Sequence, residues 1–295
     1  LRVKLKNGLQ TGSPVPSGGK MVPYFVSFYP QVPMEENLSV FQSLDVPEVQ
    51  RLLTEAAGVV IPRYILPSRY ETIIKLARHW FPRLRAKHVY EGKTRQIMLF
   101  RELNIRHPES LLFEGSAELL RYFKDEGVPW EYPLVLKGDL GGGGSAVFPI
   151  YCHEDVSRHI GKIPSDQPML LQRWVEHGGK DLRVVTYGQD LAVSYFRVGG
   201  GQFYNNVCRG GRMDRDGWPE QQAKGIEASQ ALCRRAKIDI AGFDLMFPDE
   251  GEPVFVEINF NFGRKGLGGL AGHRKYEFEA VRKWRERRLR QLSSE

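Results

Sequence analysis

Cysteine is scarce in this 295-residue chain: Cys152, Cys208 and Cys233 are its only three. An odd number at scattered spacings argues against both a disulfide framework and a zinc site. No apolar run approaches the ~18 residues a membrane span needs. The basic N-terminus leads into Gly, Ser and Pro rather than an apolar signal segment, so the expectation is a cytoplasmic protein with no membrane partner. There is no Ser–His or Cys–His pattern pointing to a protein nucleophile, no Gly-Lys-Ser/Thr phosphate loop, no G-x-G-x-x-G between a strand and a helix, and no internal repeat. Low complexity is confined to residues 1–20, read as a disordered extension, with Met21 a candidate start of the folded part.

Acidic charge is also in deficit, giving a net charge of +7. The excess is local. Residues 273–290 carry eight Lys or Arg against three Glu, and Tyr276, Ala280, Trp284 and Leu289 fall at helical spacings. This predicts a terminal amphipathic helix with a solvated basic face. That face leaves nucleic-acid or ribosome contact open, and a homo-oligomer is open as well. With 41% hydrophobic and 26% charged residues, the chain has the composition of a globular protein of about two domains.

Residues 21–88 alternate strand and helix signals. Residues 23–29 and 58–62 are strand candidates, 47–56 a helix, and 71–81 a helix with Ile73, Ile74, Leu76, Ala77 and Trp80 facing inward. This order predicts a small α/β domain. Helices are expected over 91–105, 116–129, 153–163 and 219–237, the last opened by Pro219 and Glu220.

Several stretches carry chemistry. Lys137 ends a strand, and Gly141, Gly142, Gly143 and Gly144 make a loop before the next one. A glycine run leaves backbone N–H groups free to face an anion without Cβ interference, with Lys137 as a point charge beside it. Arg183 sits inside the apolar strand LRVVTY, an expensive place unless an anion shares its face. Arg197 ends a similar strand, and NNVCRGG (residues 205–211) offers amides, Arg209 and two glycines.

Residues 240–263 read as a β-hairpin whose turn, Asp249, Glu250, Gly251 and Glu252, is bracketed by Pro248 and Pro253. Setting the prolines opposite each other puts Asp244 opposite Glu257. One face then holds Gly242, Asp244, Met246, Phe255, Glu257 and Asn259; the core face holds Phe243, Leu245, Phe247, Val254, Val256 and Ile258. Paired carboxylates with Cβ atoms about 4.5–5.5 Å apart repel. A hard divalent cation between them, with Asn259 beside, is one resolution. Exposed strand ends with Lys or Arg partners are the other.

Taken in order, Lys93, Lys137 with its glycine loop, the 172–181 segment, Arg183, Arg197, NNVCRGG, Asp244 and the Glu257-Ile258-Asn259 run resemble the ATP-grasp superfamily, most closely its RimK-like carboxylate–amine ligase branch, over about residues 89–271. The resemblance implies an α+β fold: two α+β subdomains clasping ATP (about 105–172 as the lid, about 173–272 as the C-terminal subdomain), the helix 273–295, and the α/β domain in front. It implies ATP contacts from Lys93, Lys137, Gly141, Gly142, Gly143, Gly144, Gln172, Arg173, Trp174, Val175, Asp181 and Asn206. It also implies Mg²⁺ or Mn²⁺ held by Asp244, Glu257 and Asn259, and Arg183, Arg197 and Arg209 as catalytic groups. The implied reaction joins a small-molecule carboxylate to an amine or peptide acceptor through an acyl phosphate. A kinase releasing its phosphorylated product, or a nucleotide-binding module recruiting a partner through the basic helix, is the alternative. Gln172 stands where an acid is common, and Phe262, Arg264 and Lys265 depart from the usual loop, so acceptor identity does not carry over.

Overall fold

The structure, a computed structural model, describes residues 22–199, 211–248 and 251–294. The expectations for residues 1–20, Met21, Asn206, Arg209 and the Asp249–Glu250 turn lie outside them.

Three sheets organise the molecule. The first contains β1 (Phe25–Ser27), β2 (Glu36–Asn37), β3 (Gly58–Val60) and β4 (Trp80–Phe81), all parallel in the order β2-β1-β3-β4. Its helices are α1 (Pro47–Glu55), α2 (Pro67–Leu76) and α3 (Arg85–Val89). Pro opens both α1 and α2, because its fixed φ suits the first helical position and its missing N–H is needed by no helical bond there. The helix expected over 71–81 is corrected accordingly. It starts at Pro67 and stops at Leu76, and Trp80 and Phe81 instead pair with Val59 and Val60. Phe81 precedes Pro82, whose ring disfavours helical geometry in the residue before it.

After α4 (Lys93–Glu102), the second sheet follows. It comprises β5 (Ser110–Phe113), β6 (Leu134–Gly138), β7 (Val147–Ile150) and β8 (Met169–Arg173), antiparallel in the order β5-β8-β6-β7. It carries α5 (Ser116–Asp125) and α6 (His153–Ile160), whose Leu119, Phe123, Val156 and Ile160 join its apolar core.

The third sheet, β11-β10-β9-β12-β13, is antiparallel: β9 (Lys180–Tyr187), β10 (Leu191–Val198), β11 (Arg212–Asp214), β12 (Ile240–Met246) and β13 (Val254–Asn259). Helix α7 (Pro219–Ala236) lies on it so closely that a Cβ at Gly225 would stand 2.3 Å from Leu182 Cδ2. Helix α8 (Gly269–Ser294) starts four residues before the helix expected over 273–295 and returns to the first sheet. There Trp284 packs against Phe25 and Phe81, each with ring centroids 5.7 Å away.

The β12–β13 hairpin keeps Asp244 opposite Glu257, but Leu245 pairs with Phe255 and Met246 with Val254. Val256 is therefore the extra residue of a β-bulge, which inverts the facing of everything before it on β13. Phe255 turns into the core with Phe243, Leu245 and Ile258, and Val256 faces the cleft described below. The regular alternation expected for the two residues is corrected on this point.

Candidate functional site

A cleft opens between the second and third sheets. Lys137, at the end of β6, and Gln172, on β8, come from one wall; Asp181 on β9, Arg197 on β10, Asp244 on β12 and Glu257 on β13 come from the other. Lys93, the first residue of α4, closes one side. The segment after β8 adds Arg173, Trp174 and Val175, and Gly144 comes from the glycine loop.

The charges in this cleft are arranged in pairs. Asp244 faces Arg183 across the β12–β9 ladder and Glu257 across β12–β13. Arg183 holds it with Nε at 2.5 Å and Nη2 at 3.0 Å. Arg197 Nη2 reaches the same carboxylate at 3.0 Å while also bonding Asp181. Burial raises the Asp244 carboxyl, but Arg183 and Arg197 outweigh it and hold the group below the ordinary carboxylate range. Glu257 has Lys93 Nζ at 3.5 Å. The repulsion expected between the two acids is thus offset by separate cations, and the anion sharing the face of Arg183 is Asp244 itself.

Lys137 has no such partner among the described residues: its Nζ donates to the neutral Gln172 Oε1 at 2.6 Å. Gln172 Nε2 in turn donates to Ser110 Oγ at 2.9 Å. Burial pushes the Lys137 ammonium down to about 8, with Lys93 adding to the lowering and Glu257 and Asp244 opposing it. A buried cation facing a cleft without its own counter-charge is a receptor for an anion.

The glycine loop is anchored to α4. Asp139 accepts from Thr94 N at 2.7 Å and Thr94 Oγ1 at 2.6 Å, supplying the carboxylate that a helix N-terminus favours. Lys93 Nζ donates to Gly141 O at 3.1 Å. Gly141, Gly143 and Gly144 adopt φ of 123°, 63° and 79°, so the loop needs residues without a Cβ.

Eleven predicted residues line the cleft: Lys93, Lys137, Gly144, Gln172, Arg173, Trp174, Val175, Asp181, Arg197, Asp244 and Glu257. Gly141, Gly142, Gly143, Arg183 and Asn259 are not in that lining; Arg183 stands behind Asp244, and Asn259 Nδ2 donates to Asp244 Oδ2 at 3.1 Å. Met246, placed by alternation on the face of Asp244, lines the cleft; sequence reasoning missed Val135, Val147 and Val256, which form apolar lining, and Asp139 and Gln96. Gln96 ties α4 to β13 through both its amide groups, Nε2 to Ile258 O at 2.9 Å and Ile258 N to Oε1 at 2.8 Å. Alternation could have flagged Val135 and Val147; nothing local marks the others.

Among the described residues no group of three His, Cys, Asp or Glu is placed to hold a metal ion. Two facing carboxylates and an adjacent amide oxygen nevertheless fit Mg²⁺, which uses one or two carboxylates together with substrate phosphates rather than an all-protein cage. None of the described helices is long and apolar enough to cross a membrane.

No family model matches the chain. It is 30% identical over 226 residues to human N-acetylaspartylglutamate synthase A, covering 72% of this chain and 56% of that protein. It is 31% identical over 151 residues to zebrafish β-citrylglutamate synthase B, covering 50% and 36%. The chain thus spans little more than half the length of the first of these relatives. Among solved structures, D-alanine–D-alanine ligase from Bacillus anthracis complexed with ATP aligns over 88% of this chain and 87% of its own, with a TM-score of 0.57 and 15% identity. A RimK domain protein from Sphaerobacter thermophilus aligns over 77% and 80%, with a TM-score of 0.51 and 16% identity.

Proposed function

The chain has the ATP-grasp fold, and from that premise we propose that it is an ADP-forming ligase of the cytoplasm, joining a carboxylate to an amine of amino-acid or peptide type through an acyl phosphate. The observation that carries this reading is the convergence in one cleft of Lys93, Lys137 and Arg197 with the facing pair Asp244 and Glu257. The names of the curated relatives, both joining an acid to glutamate, support it.

In this reading Trp174, Val175, Met246 and Val256 give the base an apolar slot, and the backbone of residues 172–175 supplies its hydrogen bonds. Asp181 bonds the ribose. Lys93 and Lys137 meet the phosphates, and the loop of Gly141, Gly142, Gly143 and Gly144 covers them and excludes water. Asp244, Glu257 and Asn259 would hold Mg²⁺, whose contribution when bound is to offset charge on the phosphates. Arg197 adds a fixed positive charge where the transferring phosphoryl passes, and Arg183 keeps Asp244 ionised and oriented. The substrate carboxylate attacks the γ-phosphorus; the amine then displaces phosphate from the acyl carbon. Asn206 and Arg209 are assigned to the nucleotide and to the developing oxyanion. No protein nucleophile is required.

The test is ADP release with Mg²⁺-ATP, a pool of amino acids and other carboxylates, and hydroxylamine as trap. Hydroxamate formed together with ADP is the expected result. ADP without hydroxamate would replace the ligase by a kinase. No ADP with any acid would leave a binding module.

A further inference from the structure

Arg63, Arg83, Arg158, Arg183, Arg197, Arg282, Arg285 and Arg287 each meet a carboxylate. The cations around the loop after Asn259 differ. Lys87 Nζ, on α3, donates to Arg63 O at 2.7 Å and lies 5.0 Å from the Tyr64 ring centroid. Arg264 Nη2 donates to the Tyr64 hydroxyl at 3.5 Å. Neither forms an ion pair among the described residues. Burial, and then the neighbouring Arg63, push the Lys87 ammonium down, while Glu91 opposes this only from a distance. Tyr64 is 65% exposed, with Lys87 and Arg63 over its ring and Arg264 at its hydroxyl.

This cluster is tied to the cleft. Along β12 one face runs Met246, Asp244, Gly242; the first two line the cleft, and the third packs under Phe262, with Arg183 Nη1 alongside. Phe262 carries the Arg63 guanidinium over its ring at 4.6 Å, and Arg63 Nη2 donates to Phe260 O at 2.6 Å. Lys87 and Tyr64 therefore flank the loop that leaves the acid pair, on the side away from the apolar slot. Two cations that form no ion pair among the described residues and both contact one phenol suit a carboxylate, which can accept from all three.

We propose that Lys87, Tyr64 and Arg264 form a binding site for a non-reacting carboxylate of the substrate, so that the first sheet selects acids bearing a carboxylate beyond any that reacts. This rests on the ligase reading for its place in the reaction. The site discriminates a second carboxylate from the isosteric amide, because the amide brings no charge and places an N–H against two cations.

The test compares glutamate with glutamine, aspartate with asparagine and succinate with succinamate. Binding to the full chain is followed by calorimetry with Mg²⁺-ADP present, and ADP release from Mg²⁺-ATP is measured separately. In at least one pair the acid is expected to bind about tenfold or more tightly than its amide, the discrimination of a charged hydrogen-bond partner. In Lys87→Met and in Arg264→Gln that ratio falls towards one, with denaturation midpoints within a degree or so of the parent's. Tyr64→Phe lowers it less. An unchanged ratio in both cation variants, or no acid binding better than its amide in any pair, overturns the proposal. Discrimination in calorimetry without ADP release from any acid supports the site and overturns the ligase reading instead.

Discussion

Asp244 is the residue on which the site turns. Its carboxylate is shared among Arg183, Arg197 and the Asn259 amide, so it reaches neutral pH ionised, oriented and nearly fully buried. Glu257, bound only through Lys93, is the more exposed and adjustable member of the pair. Glu257→Ala is accordingly expected to abolish Mg²⁺-dependent ADP formation while leaving the circular-dichroism spectrum and melting temperature near those of the parent; retained turnover would remove Glu257 from the metal set. Lys137 leads to a pH prediction. In the unfolded chain it keeps its proton to about 10.5, and in the folded chain it begins to lose it near 8. Between these values the unfolded state binds more protons, so this group adds stability as pH rises, by as much as about 3 kcal/mol. Denaturation of the parent and of Lys137→Met across pH 7–10.5 should show a rise that is larger in the parent, the difference being the Lys137 contribution. Nucleotide affinity runs the opposite way and falls above pH 8, since only the ammonium attracts phosphate.

At the scale of elements, local patterns and close packing share control. Asp244 and Glu257 face each other as expected, although Leu245 and Met246, nearer the turn, pair one residue out of the register that sets Pro248 opposite Pro253; the facing of Phe255 and Val256 was not legible. A bulge leaves no compositional mark: both residues are apolar, and only the competition of Phe255 for the core beside Phe243 and Phe100 decides which one turns inward. Helix α7 shows the same limit. Gly225 reads as a weak point in a helix, whereas its missing side chain is what lets α7 approach β9. Gly225→Ala would gain about 1 kcal/mol of helix propensity but must displace the fully buried Leu182. We expect a net loss of up to about 2 kcal/mol in urea unfolding, because overpacking costs about 1–3 kcal/mol. A stability gain would mean that α7 can retreat freely.

Over the whole molecule the basic helix serves as a junction between sheets. Arg282 pairs within α8 with Glu279 and Glu286, Arg285 bonds Glu35, and Arg287 bonds Asp190. Arg285 and Arg287 thus tie the helix to the first and third sheets. Glu277 and His273 on the same helix meet Arg63 and the hydroxyls of Tyr29 and Tyr187 in a buried network. Trp284 completes the junction; Gly58 is without a side chain where a Cβ would stand 2.6 Å from its ring. Trp284→Ala should cost about 3–5 kcal/mol, read as a lower urea midpoint, and should weaken the first sheet. A change below 1 kcal/mol would show that α8 is a peripheral attachment.

Periodicity, prolines and the order of charged residues were sufficient to place most strands and helices and to single out Lys93, Lys137 and Gly144 of the cleft. These are properties of short stretches: a strand alternates its sides, and proline restricts its own φ and its predecessor, whatever surrounds them. The partners of each charge, the bulge at Val256, the Asp139 cap on α4 and the junction of Lys87, Tyr64 and Arg264 were settled only by the tertiary structure. Each depends on which distant segment arrives against a residue, and an arginine in a strand carries the same letter whether its anion is a ligand or a carboxylate sixty residues away.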